Sequence, residues 1–187
     1  MGNRLSKITT RTGDDGTTGM ADGSRLSKSD LRFDAMGAVD GLNAQIGLLQ
    51  AHLAQKLPTV CDEIGIIQHK LFNIGGEIAL PNHAEIGYVA ITTDDIATVE
   101  RWLEQHNEPL PYLQDFILPA GSVATAQTHV VRASCRDAER LLVRLSERDG
   151  NISHASKQYL NRLSDYLFVL ARVVARLDGG QEVLWQK

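Results

Sequence analysis

The residues best suited to chemistry lie in one short N-terminal stretch, Thr10-Arg11-Thr12-Gly13-Asp14-Asp15-Gly16-Thr17-Thr18-Gly19, which runs on through Asp22-Gly23 to Lys28. Glycines at 13, 16, 19 and 23 let the backbone turn tightly and approach a ligand without obstruction by a Cβ. Threonine hydroxyls, with Lys7, Arg11 and Lys28, suit an anion bearing several oxygens, above all a polyphosphate. No Gly-Lys-Ser/Thr closes the stretch, so it is not a Walker A loop. By composition alone a Gly/Asp/Thr-rich segment is also an ordinary surface turn. The rest of the chain has to decide between the two.

A second set of candidates lies near position 130. At 100° per residue, a helix from about Ser122 to Arg148 would place Val131, Ala138, Leu141, Leu142 and Leu145 on one side. His129, Arg132, Arg136, Glu139 and Arg140 would fall on the other. Such a face is either a solvated surface with i,i+4 pairs or a phosphate-binding stripe, since guanidinium forks match phosphate oxygens. Each charge-assisted hydrogen bond to phosphate would contribute about 1.5–3 kcal/mol. A further helix from about Ser153 to Leu177 repeats the pattern, with Asn161, Asp165 and Arg172 opposite Leu160, Leu163, Leu167, Leu170 and Val174.

Three more helices are expected before these. One runs from about Ser29 to Gln55, with Ala35, Val39, Leu42, Ile46 and Leu49 at helical spacing. The next runs from about Thr59 to Leu80, bounded by Pro58 and Pro81. The third follows the capping sequence Thr92-Thr93-Asp94-Asp95 and ends near Asn107. Gly37 and Gly41 sit one turn apart on the first helix, away from its apolar stripe. A close approach by another helix, within or between subunits, would explain them, as would a kink or chance. Long helices with short joins imply an all-α, up-and-down bundle of five helices.

The bulk numbers agree with a single domain. The chain has 187 residues, 43% hydrophobic and only 5% aromatic, and a net charge of −4. That charge gives no electrostatic reason to expect a nucleic acid or an anionic membrane as partner. No apolar run is long enough to span a bilayer, and the absence of a presequence fits a bacterial cytoplasm. Cys61 and Cys135 are the only cysteines, in no metal-binding spacing, and the six histidines form no ligand cluster. No protein-ligated metal is expected.

Five blocks, taken in order, carry a resemblance. They are Thr-Arg-Thr-Gly-Asp-Asp-Gly-Thr-Thr (10–18) with Lys28, Ala-Val-Asp-Gly-Leu-Asn-Ala-Gln-Ile-Gly (38–47), Phe-Ile-Leu-Pro-Ala-Gly (116–121), Cys-Arg-Asp-Ala-Glu-Arg (135–140) and Tyr-Leu-Asn-Arg-Leu-Ser-Asp (159–165). The series resembles the PduO-type ATP:cob(I)alamin adenosyltransferases from about Thr9 to Arg176. The resemblance implies a homotrimeric five-helix bundle with active sites between subunits. It divides a single domain into an ATP-binding loop (1–28), a helical bundle (29–178) and a C-terminal tail (179–187). The implied reaction moves the 5′-deoxyadenosyl group of ATP to the cobalt of cob(I)alamin, with Mg²⁺ assisting and triphosphate leaving.

By position, Thr10, Arg11, Thr12, Gly13, Thr18, Gly19 and Lys28 look like the loop side of the ATP site, and Arg136, Glu139, Arg140 and Asn161 look like the opposing side. Asp40 resembles an acid that pairs with an arginine, here Arg132, across the subunit boundary. Phe116 resembles the aromatic residue that binds cobalamin and displaces its lower axial ligand. A cobalamin reductase and an adenosylcobalamin-dependent enzyme are the further partners implied. Three positions depart from the family pattern: Ala120 for a glycine, Gly41 for a glutamate and Asp137 for an arginine. The last removes positive charge beside the phosphates.

Two other classes compete. A carrier would bind adenosylcobalamin and deliver it with little turnover. A purely structural helical trimer would leave the N-terminal loop unexplained. The Asp-x-His-x-x-Gly signature of cobalamin-dependent mutases is absent.

Overall fold

Local capping chemistry sets the helix ends. The computed structural model describes residues 9–186, so Lys7 lies outside the described residues. Helix α1 (Leu31–Leu53) starts where the Asp30 side chain accepts from the Arg32 amide. Helix α2 (Pro58–Ala79) takes proline as its first residue, one position earlier than expected, because proline's fixed φ and missing N–H suit that position. Helix α3 (Thr93–Asn107) begins with a reciprocal capping box between Thr92 and Asp95. Helix α4 (Val123–Asp149) is capped by Ser122 and stopped by Gly150 in the left-handed conformation (φ 71°). Helix α5 (His154–Ala175) is capped by Ser153.

The main packing partners are α1 with α2 and α4, α4 with α5, and α5 with α3. In space the helices therefore follow the order α2-α1-α4-α5-α3, a five-helix up-and-down bundle. The apolar stripes meet inside: Ala35, Val39, Leu42, Ile46 and Leu49 of α1 are at most 2% exposed, as are Ile64, Ile67, Leu71, Ile74 and Ile78 of α2. Burying each large aliphatic side chain contributes about 1.5–3 kcal/mol. No helix among the described residues is long and apolar enough to cross a membrane.

Two polar residues depart from the faces expected of them. His129 and Arg172 are each only 5% exposed. Arg172 is enclosed because the chain returns over the end of α5, where Glu182 accepts from its Nε at 2.9 Å and the Pro111 carbonyl from its Nη2 at 2.5 Å. The segment before α1 is more ordered than a plain loop. It holds a two-stranded antiparallel hairpin, β1 (Thr17–Gly19) and β2 (Arg25–Ser27).

A polar junction ties the ends of α2 and α4 to the starts of α1 and α5. Arg32, 3% exposed, donates to the Ile78 carbonyl at 2.8 Å, to Asn151 at 3.1 Å and to the Asp149 carboxylate. Glu77, 1% exposed, accepts from the Ser153 amide at 2.6 Å and from the Ser156 hydroxyl. Arg148 bridges Asp30 and Asp149, each at 2.9 Å from Nη2.

Hydrogen bonds from Arg148 are the main reason both aspartates titrate below the ordinary value of 3.8. The unfolded chain therefore takes up protons first as the pH falls, so this stabilisation is complete above the ordinary aspartate range and is lost below it. Urea denaturation between pH 7 and pH 3 is expected to show stability falling on the acid side. Asp149→Asn should lower stability at pH 7 and flatten that acid slope. A slope unchanged by the substitution would assign the acid loss to other carboxylates.

Candidate active site

The N-terminal candidates are assembled by the hairpin. Strand pairing Thr17↔Ser27, Thr18↔Leu26 and Gly19↔Arg25 folds Lys28 back towards the loop that precedes β1. The Lys28 amide donates to the Gly16 carbonyl at 2.8 Å. At Gly13 an added Cβ would sit 3.1 Å from the Thr17 carbonyl and 3.2 Å from the Lys28 ammonium, so glycine is what allows that close approach. Arg25 braces the same turn, donating to the Thr12 carbonyl at 2.5 Å and to the Thr17 hydroxyl at 2.6 Å. Asp15 accepts from both the amide and the hydroxyl of Thr17, which lowers its pKa.

Thr10, Arg11 and Thr12 stand exposed on the free arm of this loop, and the Thr10 and Thr12 hydroxyls are 3.0 Å apart. Arg11 adopts φ 59°, an unusual left-handed conformation for a residue other than glycine. Thr18 is half-buried, and Gly19 is exposed with ordinary φ and no crowding.

On the outer face of α4 and α5, Arg136, Glu139, Arg140 and Asn161 share a depression of about 360 Å³ with Val143 and Arg144. Asn161 donates to Glu139 at 3.1 Å. Arg140 is paired with Asp137 one turn away, so the departure at position 137 offsets one of the basic charges. Arg136 has no ion-pair partner among the described residues.

One turn back along α4, Arg132 lines a separate cavity of about 600 Å³ together with Phe116, His129, Phe168 and Trp185. Four residues of helix are about 6 Å, so the two concavities adjoin along one face. Phe116 is 80% exposed at the rim of this cavity. Arg132 Nε and His129 Nδ1 are buried without a hydrogen-bond partner among the described residues. Desolvation, helped by neighbouring cations, lowers the pKa of both side chains.

Asp40 lies on α1. It is exposed, without an ion-pair partner among the described residues, in an otherwise largely apolar groove of about 500 Å³ between α1 and α2 that includes Phe33, Gly37 and Phe72. Within one chain the groups remain apart. Among the described residues no hydrogen bond or ion pair joins residues 9–29 to Arg132, Arg136, Glu139, Arg140 or Asn161. Among the described residues a Cβ at Gly37 or Gly41 would meet nothing within 4 Å, so none of them accounts for those glycines.

Sequence reasoning missed the role of the C-terminal tail. Leu118 N–H donates to the Val183 carbonyl at 2.8 Å, and Trp185 N–H to the Phe116 carbonyl at 2.7 Å. The Trp185 ring meets Phe116 edge-on, with centroids 6.4 Å apart. Composition offered one signal, since a chain with only two tryptophans places one of them third from its end.

Residues 8–174 match the family model described as cobalamin adenosyltransferase. The chain belongs to that family. It is 49% identical to a cobalamin adenosyltransferase of Cupriavidus metallidurans, over 100% of this chain and 98% of the relative. It is 37% identical to the human corrinoid adenosyltransferase MMAB, over 98% of this chain and 75% of that protein. Among solved structures, a variant PduO-type ATP:corrinoid adenosyltransferase of Lactobacillus reuteri, complexed with cobalamin and ATP, superposes with a TM-score of 0.91 at 30% identity. That match covers 97% of this chain and 100% of the other.

The tail is held by charge as well as by backbone. Glu182 pairs with Arg172 and Arg176, and the Glu182 and Arg172 side chains are 5% and 6% exposed. Removing one partner of a buried pair strands the other, so Glu182→Ala should cost about 3–5 kcal/mol in chemical denaturation. Amide hydrogen exchange at Leu118 and Trp185 should accelerate with it. Unchanged exchange at both amides would show that the tail is held without this pair.

Proposed function

We propose that the chain is an ATP:cob(I)alamin adenosyltransferase whose complete active site forms between subunits of a homotrimer. Family membership supports the reaction, and one structural observation carries the reading of the site. A half-buried arginine whose Nε has no hydrogen-bond partner among the described residues shares a cavity with an exposed phenylalanine, and that cavity adjoins a basic depression beside the same helix. That juxtaposition suits a reaction joining a large apolar cofactor to the sugar of a polyphosphate nucleotide.

Co(I) is itself a strong nucleophile, so no side chain need attack. The cobalt electron pair forms a bond to C5′ of ATP, the C5′–O bond breaks, and its electrons leave with triphosphate. The protein's contribution is orientation and electrostatics. Thr10, Arg11, Thr12, Gly13, Thr18, Gly19 and Lys28 of one subunit hold the nucleotide against Arg136, Glu139, Arg140 and Asn161 of another. Lys28 and Arg136 offset charge developing on the departing triphosphate. Asp40 reaches Arg132 across the boundary, which gives the exposed Gly37–Gly41 seam a neighbour. Phe116 and the cavity behind it receive the lower face of the corrin and exclude the axial ligand.

Mg²⁺ would keep phosphate oxygens and water as its main ligands, with Glu139 as an available carboxylate, and would supply further charge neutralisation. The proposed organisation is a single domain with loop 1–28, bundle 29–178 and tail 179–187, working in the cytoplasm. A reductase supplying Co(I) and an adenosylcobalamin-dependent enzyme are its proposed partners. The Asp137–Arg140 pair favours a second reading, a carrier with weakened ATP binding and little turnover.

Anaerobic incubation with cob(I)alamin, ATP and Mg²⁺ separates the two. Catalytic formation of light-sensitive adenosylcobalamin, matched by triphosphate release, supports the enzyme. Tight cobalamin binding without turnover supports the carrier. Phe116→Ala should slow the reaction from Co(II) more than from pre-reduced Co(I), and equal losses would remove the ligand-displacing role. Arg136→Ala should weaken ATP binding about tenfold or more, the loss of at least one charge-assisted hydrogen bond. An unchanged calorimetric dissociation constant would take Arg136 out of the site.

A further inference from the structure

The nucleotide loop needs a foothold on the bundle, and most of its residues cannot supply one. From residue 9 to residue 31 every side chain is exposed or half-buried except Met20, which is 4% exposed. Met20 sits at the turn of the hairpin. Its amide donates to the Ser24 carbonyl at 2.8 Å, and its own carbonyl accepts from Gly23 at 3.2 Å. The next residue makes a backbone tie to the bundle, with the Ala21 amide donating to the Ala79 carbonyl at 3.0 Å. Ala79 is the last residue of α2, where helix carbonyls lack intrahelical partners and accept from outside.

We propose that Met20 is a positioning residue for the nucleotide, a plug that seats the hairpin turn on the end of α2 and so fixes where the arm carrying Thr10 to Gly13 and Lys28 stands. This rests on the reading that the loop binds ATP. The strand pairs and the Lys28–Gly16 hydrogen bond make the arm and its cation one unit. That unit is joined to the bundle through its turn and through Asp30 at the start of α1. With the turn released, the arm pivots about residues 28–30, and the geometry offered to the phosphates blurs. Met20 touches no reacting atom, so its loss should act on ATP affinity rather than on the chemical step. Leucine keeps most of the apolar volume and alanine does not.

The test uses the full chain with Met20→Ala, Met20→Leu and, as a control, Lys28→Ala, measuring kcat and KM for ATP and for cobalamin. Met20→Ala is expected to raise KM for ATP about tenfold, with kcat at saturating ATP and KM for cobalamin within about twofold of the parent. Met20→Leu should return KM for ATP to near the parent value. Trypsin should cut after Arg11 and Lys28 faster in Met20→Ala than in the parent, whatever the loop binds. Should Met20→Ala lose stability too far to assay, Ala21→Pro, which deletes the N–H that reaches Ala79, takes its place with the same expected split.

Unchanged KM for ATP in both variants, or equal losses in kcat and both KM values, would overturn the positioning role. Faster trypsin cleavage with unchanged KM for ATP would overturn it as well. If Lys28→Ala also leaves KM for ATP unaltered, the loop reading itself has failed, separately from the foothold.

Discussion

A buried guanidinium organises the base of this bundle. Arg32 is withdrawn from water at the start of α1, where an unpaired charge would be strongly destabilising. It is satisfied only because the end of α2 presents the Ile78 carbonyl while the α4–α5 connection presents Asp149 and Asn151. Asn151 in turn donates to Pro81, and Glu77 receives the first turn of α5 through Ser153 and Ser156. Each of these groups would be destabilising alone and is tolerated only when the others are in place. The ends of four helices are therefore held in one arrangement, and the N-terminal hairpin is fastened to the same point through Ala21 and Ala79.

The core imposes the complementary constraint. Because apolar stripes fill the interior, the candidate site side chains face outward and are left with unmet needs. Arg132 has a buried nitrogen without an acceptor among the described residues, Asp40 has no cation there, and Phe116 projects 80% exposed beside Trp185. In the proposed homotrimer such needs of opposite sign would be met, since each copy offers what the next lacks.

Helix number, approximate helix ends, the core stripes and both clusters of charged candidates were legible in the sequence. Helical periodicity and capping are local properties, readable from spacing of three or four residues. Thr92 with Asp95, Ser122, Gly150 and Ser153 act where local chemistry says they should. The burial of His129 and Arg172 was not legible, because a helical wheel says which way a side chain points but not what lies over it. For Arg172 the cover comes from Glu182 and Pro111, far along the chain or across a loop.

The sequence by itself determined the bundle, the anion-suited loop and the family, because each depends on residue types at short or ordered spacing. Only the tertiary structure decided that Met20 is buried at the hairpin turn beside the Ala21–Ala79 tie, that the C-terminal tail backs Phe116, and that Asp137 engages Arg140. It also decided that Arg132 and Arg136 open into two adjoining concavities and not into one. Those outcomes depend on contacts between distant segments and on which neighbour reaches a charge first. Such contacts leave no periodic trace in a linear pattern.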